Sequence, residues 1–211
     1  MILIGQYDSP FVRRVAIALT LYGFSFEHRP WSTFADGELI QQFNPLKRVP
    51  TLILDDGRVL LESAYILDWA DENRGAVRGL ISSSGKDRQT ELYYIALAMG
   101  FSDKVIALFY ENVLHELRSE VWVARCQSQI FGVLDVLEGL RQGAGSKWFM
   151  GDLMGHADIA LGCALRHAVE AHGAAIPWER WPALLSHSSQ CEDTPIFAGI
   201  YQPFRGPGAS H

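Results

Sequence analysis

The chain has 211 residues, of which 48% are hydrophobic and 20% charged, and a formal net charge of −6. That length accommodates two domains with cores of their own, and the composition belongs to a folded globular protein, not to a disordered or fibrous one. An acidic balance with no cluster of Lys and Arg excludes a nucleic-acid footprint, and Cys126, Cys163 and Cys191 lie too far apart, with no C-x-x-C pair, to form a zinc set. The start, Met1-Ile-Leu-Ile-Gly, has no basic leader and its apolar run stops at Gly5, so the expectation is a cytoplasmic protein without a signal peptide or a membrane span.

In chain order, Ile2-Leu3-Ile4 reads as a short buried strand and Gly5 to Asp8 as a loop. Ser9-Pro10 opens a helix with apolar positions at Val12, Val15, Ala16 and Leu19. Ser at the N-cap followed by Pro is a favoured pairing, because the N–H that Pro lacks would have had no partner there. Tyr22-Gly23 ends this helix and Phe24 to His28 reads as a second strand. A polar connection follows, with a short helix at Glu38 to Phe43. Thr51 to Leu54 and Val59 to Leu61 flank Asp55-Asp56-Gly57-Arg58, the turn chemistry of an antiparallel hairpin. Glu62-Ser63 then opens an amphipathic helix, with Ser63 read as its N-cap and Ile66, Leu67 and Ala70 on the inner face.

After Asn73-Arg74 the pattern changes. Residues 76–85 carry Gly79, Gly85 and Ser82 to Ser84, which is linker chemistry. From residue 86 onward the apolar residues recur at helical spacing and strand signals stop, so this part is all-helical. Phe109, Tyr110 and Trp122 are read as packing residues of that domain. A helix beginning near Gly155 has Asp158 placed to bond back to the cap's backbone N–H, which makes Gly155 and Asp158 structural residues. The tail from Pro203 is read as loose.

Two places carry chemistry. A thiolate held at Ser9 would meet both a hydroxyl and the positive end of a helix. A hydrogen bond to a charged group is worth about 1.5–3 kcal/mol, so Ser9 would lower a bound thiol's pKa by roughly one to two units. Tyr7 is the runner-up hydroxyl and stays open as the alternative, although it stands two residues off the helix start. The other place is the stretch NPLKRVPTLILDDGRVLLESAYILDWA, residues 44–70. Val49-Pro50 is a candidate cis bond that would turn the Val49 backbone outward to pair with an extended peptide. Ser63 at a helix N-terminus suits a carboxylate, and Glu62 beside it suits an ammonium, so together they fit an amino-acid head group.

V-P-T-L, the D-G turn and E-S-x-x-I-L resemble the glutathione-binding half of the thioredoxin-like domain in cytosolic glutathione transferases, and S-P-F-V-R-R resembles the serine-type bacterial members. W-P-A-L at residues 181–184 resembles the start of a late helix in that family. The resemblance implies an α/β thioredoxin-like domain, βαβ-α-ββα, over residues 1–75 and an all-α domain over 86–211. It implies glutathione as co-substrate, with Lys47 and Arg48 near its glycine carboxylate, a hydrophobic electrophile on the helical domain, no metal, and a homodimer. The family usually carries Ser or Thr where this chain has Gly155. With Ser9 where omega- and beta-type relatives have Cys, the implied reaction is conjugation through the glutathione thiolate, not disulfide exchange. Two alternatives stay open: a glutathione-binding module without catalysis, and a glutathione-dependent isomerase of the maleylacetoacetate type, whose Ser-Ser-x-Cys-x-x-R loop is absent here.

Overall fold

The computed structural model describes residues 1–207; any structure of 208–211, the end of the predicted loose tail, lies outside the described residues. The first domain runs β1 (Ile2–Ile4), α1 (Pro10–Leu21), β2 (Glu27–Arg29), α2 (Gly37–Gln41), β3 (Thr51–Ile53), β4 (Val59–Leu61) and α3 (Ser63–Asn73). Its four strands lie in the order β2-β1-β3-β4. β1 is parallel to β2 through a helical crossover, and β1–β3 and β3–β4 are antiparallel, with Leu3 opposite Leu52 and Leu52 opposite Leu60. This is the predicted thioredoxin-like order. The second strand starts three residues later than its hydrophobic run suggested: Phe24 and Phe26 pack, partly buried, against the core, while Glu27–Arg29 make the ladder with β1.

The second domain is helical: α4 (Gly85–Leu114), α5 (Glu120–Gly143), α6 (His156–His172), α7 (Pro182–Glu192) and α8 (Pro195–Gly199). Helix α4 passes Gly100 as one continuous helix of 30 residues. Helix α6 is the centre of this domain, with Ala157, Ile159, Ala160, Leu161, Ala164 and Leu165 all buried. One side of it shares a core with α1 and the sheet, where Ile159 and Cys163 join Val12, Val15 and Leu19. The other side packs on α4 and α5 through Leu161, Leu165, Phe101 and Ile130. At Gly162 a Cβ would stand 2.9 Å from Cys191 Sγ, so the absence of a side chain lets α7 lie directly on α6.

The start of α6 is tied to the linker. Gly155 N–H donates to Asp158 Oδ2 at 2.9 Å and Phe149 N–H to Asp158 Oδ1 at 3.0 Å, the back-bonding expected of Asp158. His156 N–H donates to Leu80 O at 2.7 Å, and His156 Nε2 lies 3.1 Å from Asp71 Oδ1 on α3. Tyr22 joins the same group, its hydroxyl bonded to Asp71 and accepting from Leu80 N–H at 2.8 Å. The reason for glycine at 155 follows from this junction. A Cβ there would lie 2.8 Å from Leu80 O, where the linker carbonyl crosses the helix start. Gly155→Ser is therefore expected to lose about 1–3 kcal/mol of stability in urea unfolding, although Ser is the better cap in an isolated helix.

Candidate functional site

Ser9 is the N-cap of α1, in extended backbone (φ −71°, ψ 124°), and its Oγ accepts a long hydrogen bond, 3.4 Å, from Val12 N–H. No acidic residue occupies the first turn of α1, so the positive end of the helix is uncompensated by its own side chains. Ser9 lines a cavity of about 370 Å³ between the two domains. One wall comes from the first domain: Ser9 and Pro10, Trp31 to Phe34, and Lys47 to Val49. The opposite wall is Asp103, Ile106, Phe109 and Tyr110 of α4, His167 of α6, and Phe204 and Arg205 of the tail.

Tyr7 is not among the residues lining this cavity. Its ring stacks on His28 with centroids 3.8 Å apart and planes within 2°, and burial pushes its hydroxyl pKa up. The loop is held by its neighbours: His28 Nε2 lies 2.8 Å from Gly5 O and Gly5 N–H donates to Arg29 O. Gly5 has φ +129°, and a Cβ there would meet Val49 Cβ at 2.8 Å, so the Ser9 loop and the Val49 loop touch only because this residue has no side chain.

The Val49-Pro50 peptide is cis. Arg48 and Lys47 both line the cavity, and each is paired, Arg48 Nη1 with Glu62 Oε1 at 3.1 Å and Lys47 Nζ with Glu38 Oε1 at 2.6 Å. These pairs are solvent-exposed and exchange readily.

The predicted cap of α3 is corrected. Glu62, not Ser63, is the N-cap, in the left-handed region at φ 65°, and Ser63 is the first helical residue. The physical reason is a buried partner. Ser63 is 4% exposed and its Oγ accepts from Arg14 Nη2 at 2.7 Å, which turns the hydroxyl toward the interior while leaving its own proton to donate. Arg14 is buried with Nε unpartnered among the described residues. Burial pulls its pKa down to about 10, so it is charged at neutral pH. The neighbouring Arg13 serves packing: it pairs with Glu192 at 2.6 Å and donates to Ile200 O and Phe197 O, fastening the last helices onto α1. The two arginines after Ser9 thus both point inward.

The sequence reading missed several cavity residues. Phe109 and Tyr110, read as packing, face the cavity. Asp103, Trp31 and His167 carry no local signal, since their spacing to Ser9 exists only after folding. The residues from Pro203 to Pro207 are not loose: Phe204 N–H donates to Glu170 Oε2 and Arg205 N–H to Asp8 Oδ2, both at 3.0 Å. These bonds, with the Phe204 ring edge-on to Phe109, hold the tail against the cavity.

The fold and this interdomain cleft define a protein with a thioredoxin-like domain followed by a helical domain. Two family profiles match in the same order: "Glutathione S-transferase, N-terminal domain" over residues 3–78 and "Glutathione S-transferase, C-terminal domain" over 120–188. The uncharacterised GST-like protein YibF of Escherichia coli K12 is 30% identical over 166 residues, covering 78% of this chain and 80% of YibF. A maleylacetoacetate isomerase of Pseudomonas aeruginosa is 30% identical over 197 residues, covering 87% of each chain. Among solved structures, a glutathione S-transferase of Methylobacterium radiotolerans in complex with glutathione sulfonate superposes with a TM-score of 0.88 at 29% identity, covering 100% of this chain and 98% of its own. A glutathione transferase family member of Pseudomonas fluorescens Pf-5 with bound glutathione has a TM-score of 0.83 at 27% identity, covering 96% and 99%. The chain belongs to the glutathione S-transferase family.

His167 gives the site a pH signature. Burial pushes its pKa down to about 4 from an ordinary 6.5. A depressed histidine contributes stability that is present above the unfolded pKa and is lost as pH falls toward the folded one. Between pH 6.5 and 4 the wild type should lose up to about 3 kcal/mol through this group, and His167→Asn should flatten that part of the curve when unfolding is followed by denaturant at each pH.

Proposed function

We propose that this chain is a serine-type glutathione transferase that joins the glutathione thiolate to a hydrophobic electrophile, with Ser9 as the hydrogen-bond donor to the sulfur. One observation carries the reading: Ser9, at the N-terminus of α1, lines the same cavity as the aromatic wall of α4 and the tail. A thiolate there accepts the Ser9 hydroxyl proton as a hydrogen bond, and a hydrophobic electrophile has Phe109, Tyr110 and Phe204 to lie against.

In this reading the peptide backbone of glutathione pairs with Val49 beside the cis bond. Its γ-glutamyl carboxylate sits at the N-terminus of α3, taking the Ser63 hydroxyl proton, with the Arg14 charge behind it. Its amine takes Glu62, displacing Arg48 from the 3.1 Å pair, and Arg48 and Lys47 turn to the glycine carboxylate. The thiol proton leaves to water. The sulfur lone pair then forms the S–C bond, and the electron pair from the broken bond departs with the leaving group or is protonated in an addition. We place the protein in the cytoplasm, with a detoxification role. We further propose a homodimer formed through Tyr65 on α3 and Leu92 and Tyr93 on α4, large side chains left exposed near the surface pair of Asp68 and Arg88.

A glutathione-dependent isomerase is the second reading, favoured by the maleylacetoacetate isomerases among the relatives. There the thiolate adds reversibly and leaves unchanged. The loop Tyr7-Asp8-Ser9-Pro10 argues for conjugation, since it lacks the Ser-Ser-x-Cys sequence that the isomerase type carries.

Ser9→Ala should raise the pKa of bound glutathione by about one to two units in ultraviolet difference titration. The same substitution should cut kcat/KM for conjugation by about 10- to 100-fold, with glutathione affinity changed less than about threefold. Ser63→Ala should do the reverse, weakening calorimetric binding about tenfold while the pKa of bound thiol holds. Glutathione binding without any thiolate absorbance at neutral pH would overturn conjugation in favour of a binding module. An unchanged rate in Ser9→Ala with a lost rate in Tyr7→Phe would overturn the assignment of the hydroxyl.

A further inference from the structure

Helix α4 carries its cavity-facing side beyond the cavity itself. Asp103, Ile106, Phe109 and Tyr110 form its wall there. Val113 comes seven residues after Ile106 and Leu114 four after Tyr110, so both point to that same side of the helix. They are 48% and 49% exposed, and Leu117, just past the helix end, is 92% exposed. The polar side chains of this end are occupied with one another. Glu111 accepts from Ser119 N–H at 2.7 Å and stands 2.8 Å from His115 Nδ1, and Arg118 donates to Asn112 at 3.3 Å. The apolar strip begins at the cavity rim, where Phe34 of the first domain meets the Tyr110 ring edge-on at 5.4 Å. Both rings line the cavity and both are exposed, so they stand at its opening.

We propose that this strip seats an unbranched alkyl chain: the electrophile taken by the site is long-chained, with its reactive carbon at Ser9 and its tail running out over Val113, Leu114 and Leu117. The inference rests on the transferase reading for where the reactive end binds. Two arguments choose the occupant. The first is size. The cavity of about 370 Å³ is at the small end of ligand pockets, which run from about 300 to 1,000 Å³, and the cysteine end of glutathione takes part of it. A chain longer than a few carbons therefore has to leave by the rim. The second is continuity, because the surface that the chain meets there is apolar and prolongs the wall it has just left. Bare apolar patches of this kind commonly mark a binding surface. From Ile106 to Val113 the helix rises about 10 Å, a distance that an alkyl chain of about eight carbons spans.

Calorimetry with S-methyl-, S-hexyl-, S-octyl- and S-decylglutathione, which cannot react further, reads the strip without turnover. In the wild type affinity should keep rising from hexyl to decyl, by about two- to fourfold for each added methylene. Val113→Ser combined with Leu117→Ser should flatten that rise, whereas Val113→Leu combined with Leu117→Met should keep it. Both positions are exposed, so either pair of substitutions leaves the core intact. An affinity that levels off at hexyl in the wild type, or a rise that survives in the serine variant, would overturn the proposal. A change of oligomeric state in the serine variant, read by analytical ultracentrifugation, would also overturn it and give the strip to a second copy of the chain. Conjugation of propyl isothiocyanate, in which the thiolate adds to the central carbon and the nitrogen takes a proton, tests the transferase reading apart from the strip. A rise from hexyl to decyl without conjugation sustains the strip and defeats the transferase, and conjugation with no such rise does the opposite. Failure of every S-alkylglutathione to bind defeats both.

Discussion

Everything in this molecule depends on α1 being buried from both sides. Its apolar residues, Val12, Val15, Ile17 and Leu19, are fully inaccessible, and they form one core with the sheet on one side and with Ile159 and Cys163 of α6 on the other. A helix that belongs to one domain and fills the core of the next leaves little freedom between the two. Arg13 strengthens the join, since its guanidinium is consumed by Glu192 and two carbonyls from the last helices. Removing one side of such a buried pair is far more costly than its net contribution suggests. The consequence for function is positional: the N-terminus of α1, and Ser9 with it, is held at the domain boundary.

The electrostatics of the site follow from what is buried behind it. Positive charge is placed in the interior at Arg14, with Ser63 as its outlet toward the helix start, while the ion pairs at the surface, Arg48 with Glu62 and Lys47 with Glu38, are exposed. Buried charge is costly to move and exposed charge is cheap to rearrange. A zwitterionic peptide would therefore meet a fixed cationic interior at one end and adaptable side chains at the other. The three cysteines are buried, and the pKa of Cys163 is pushed up to about 12 by that burial, so none of them offers a thiolate near Ser9.

Much of the first domain was legible in the sequence because its signals are local. Ser9-Pro10, the Asp56-Gly57 turn and the cis Val49-Pro50 bond are each encoded within a few residues, and the structure has all three. The reading failed where a distant residue decides. Ser63 has the chemistry of a cap, but Arg14, 49 positions away, takes its hydroxyl, and the cap passes to Glu62. Gly155 stands where the family usually carries Ser or Thr, and the reason lies in the linker, whose Leu80 carbonyl oxygen is 2.8 Å from where a Cβ would stand. The tail from Pro203 had the composition of a loose end, and only its bonds to Asp8 and Glu170 place it on the cavity.

The sequence by itself determined the order of elements in the first domain, the helical character of the second, and the helix start at Ser9, because turn, cap and periodicity rules act over a handful of residues. Only the tertiary structure decided which side chains share the cavity. Trp31, Phe109, His167 and Phe204 come from four separate parts of the chain, and no spacing rule connects them. Their meeting is set by how α1, α4 and α6 pack, which depends on the shapes of many buried side chains at once.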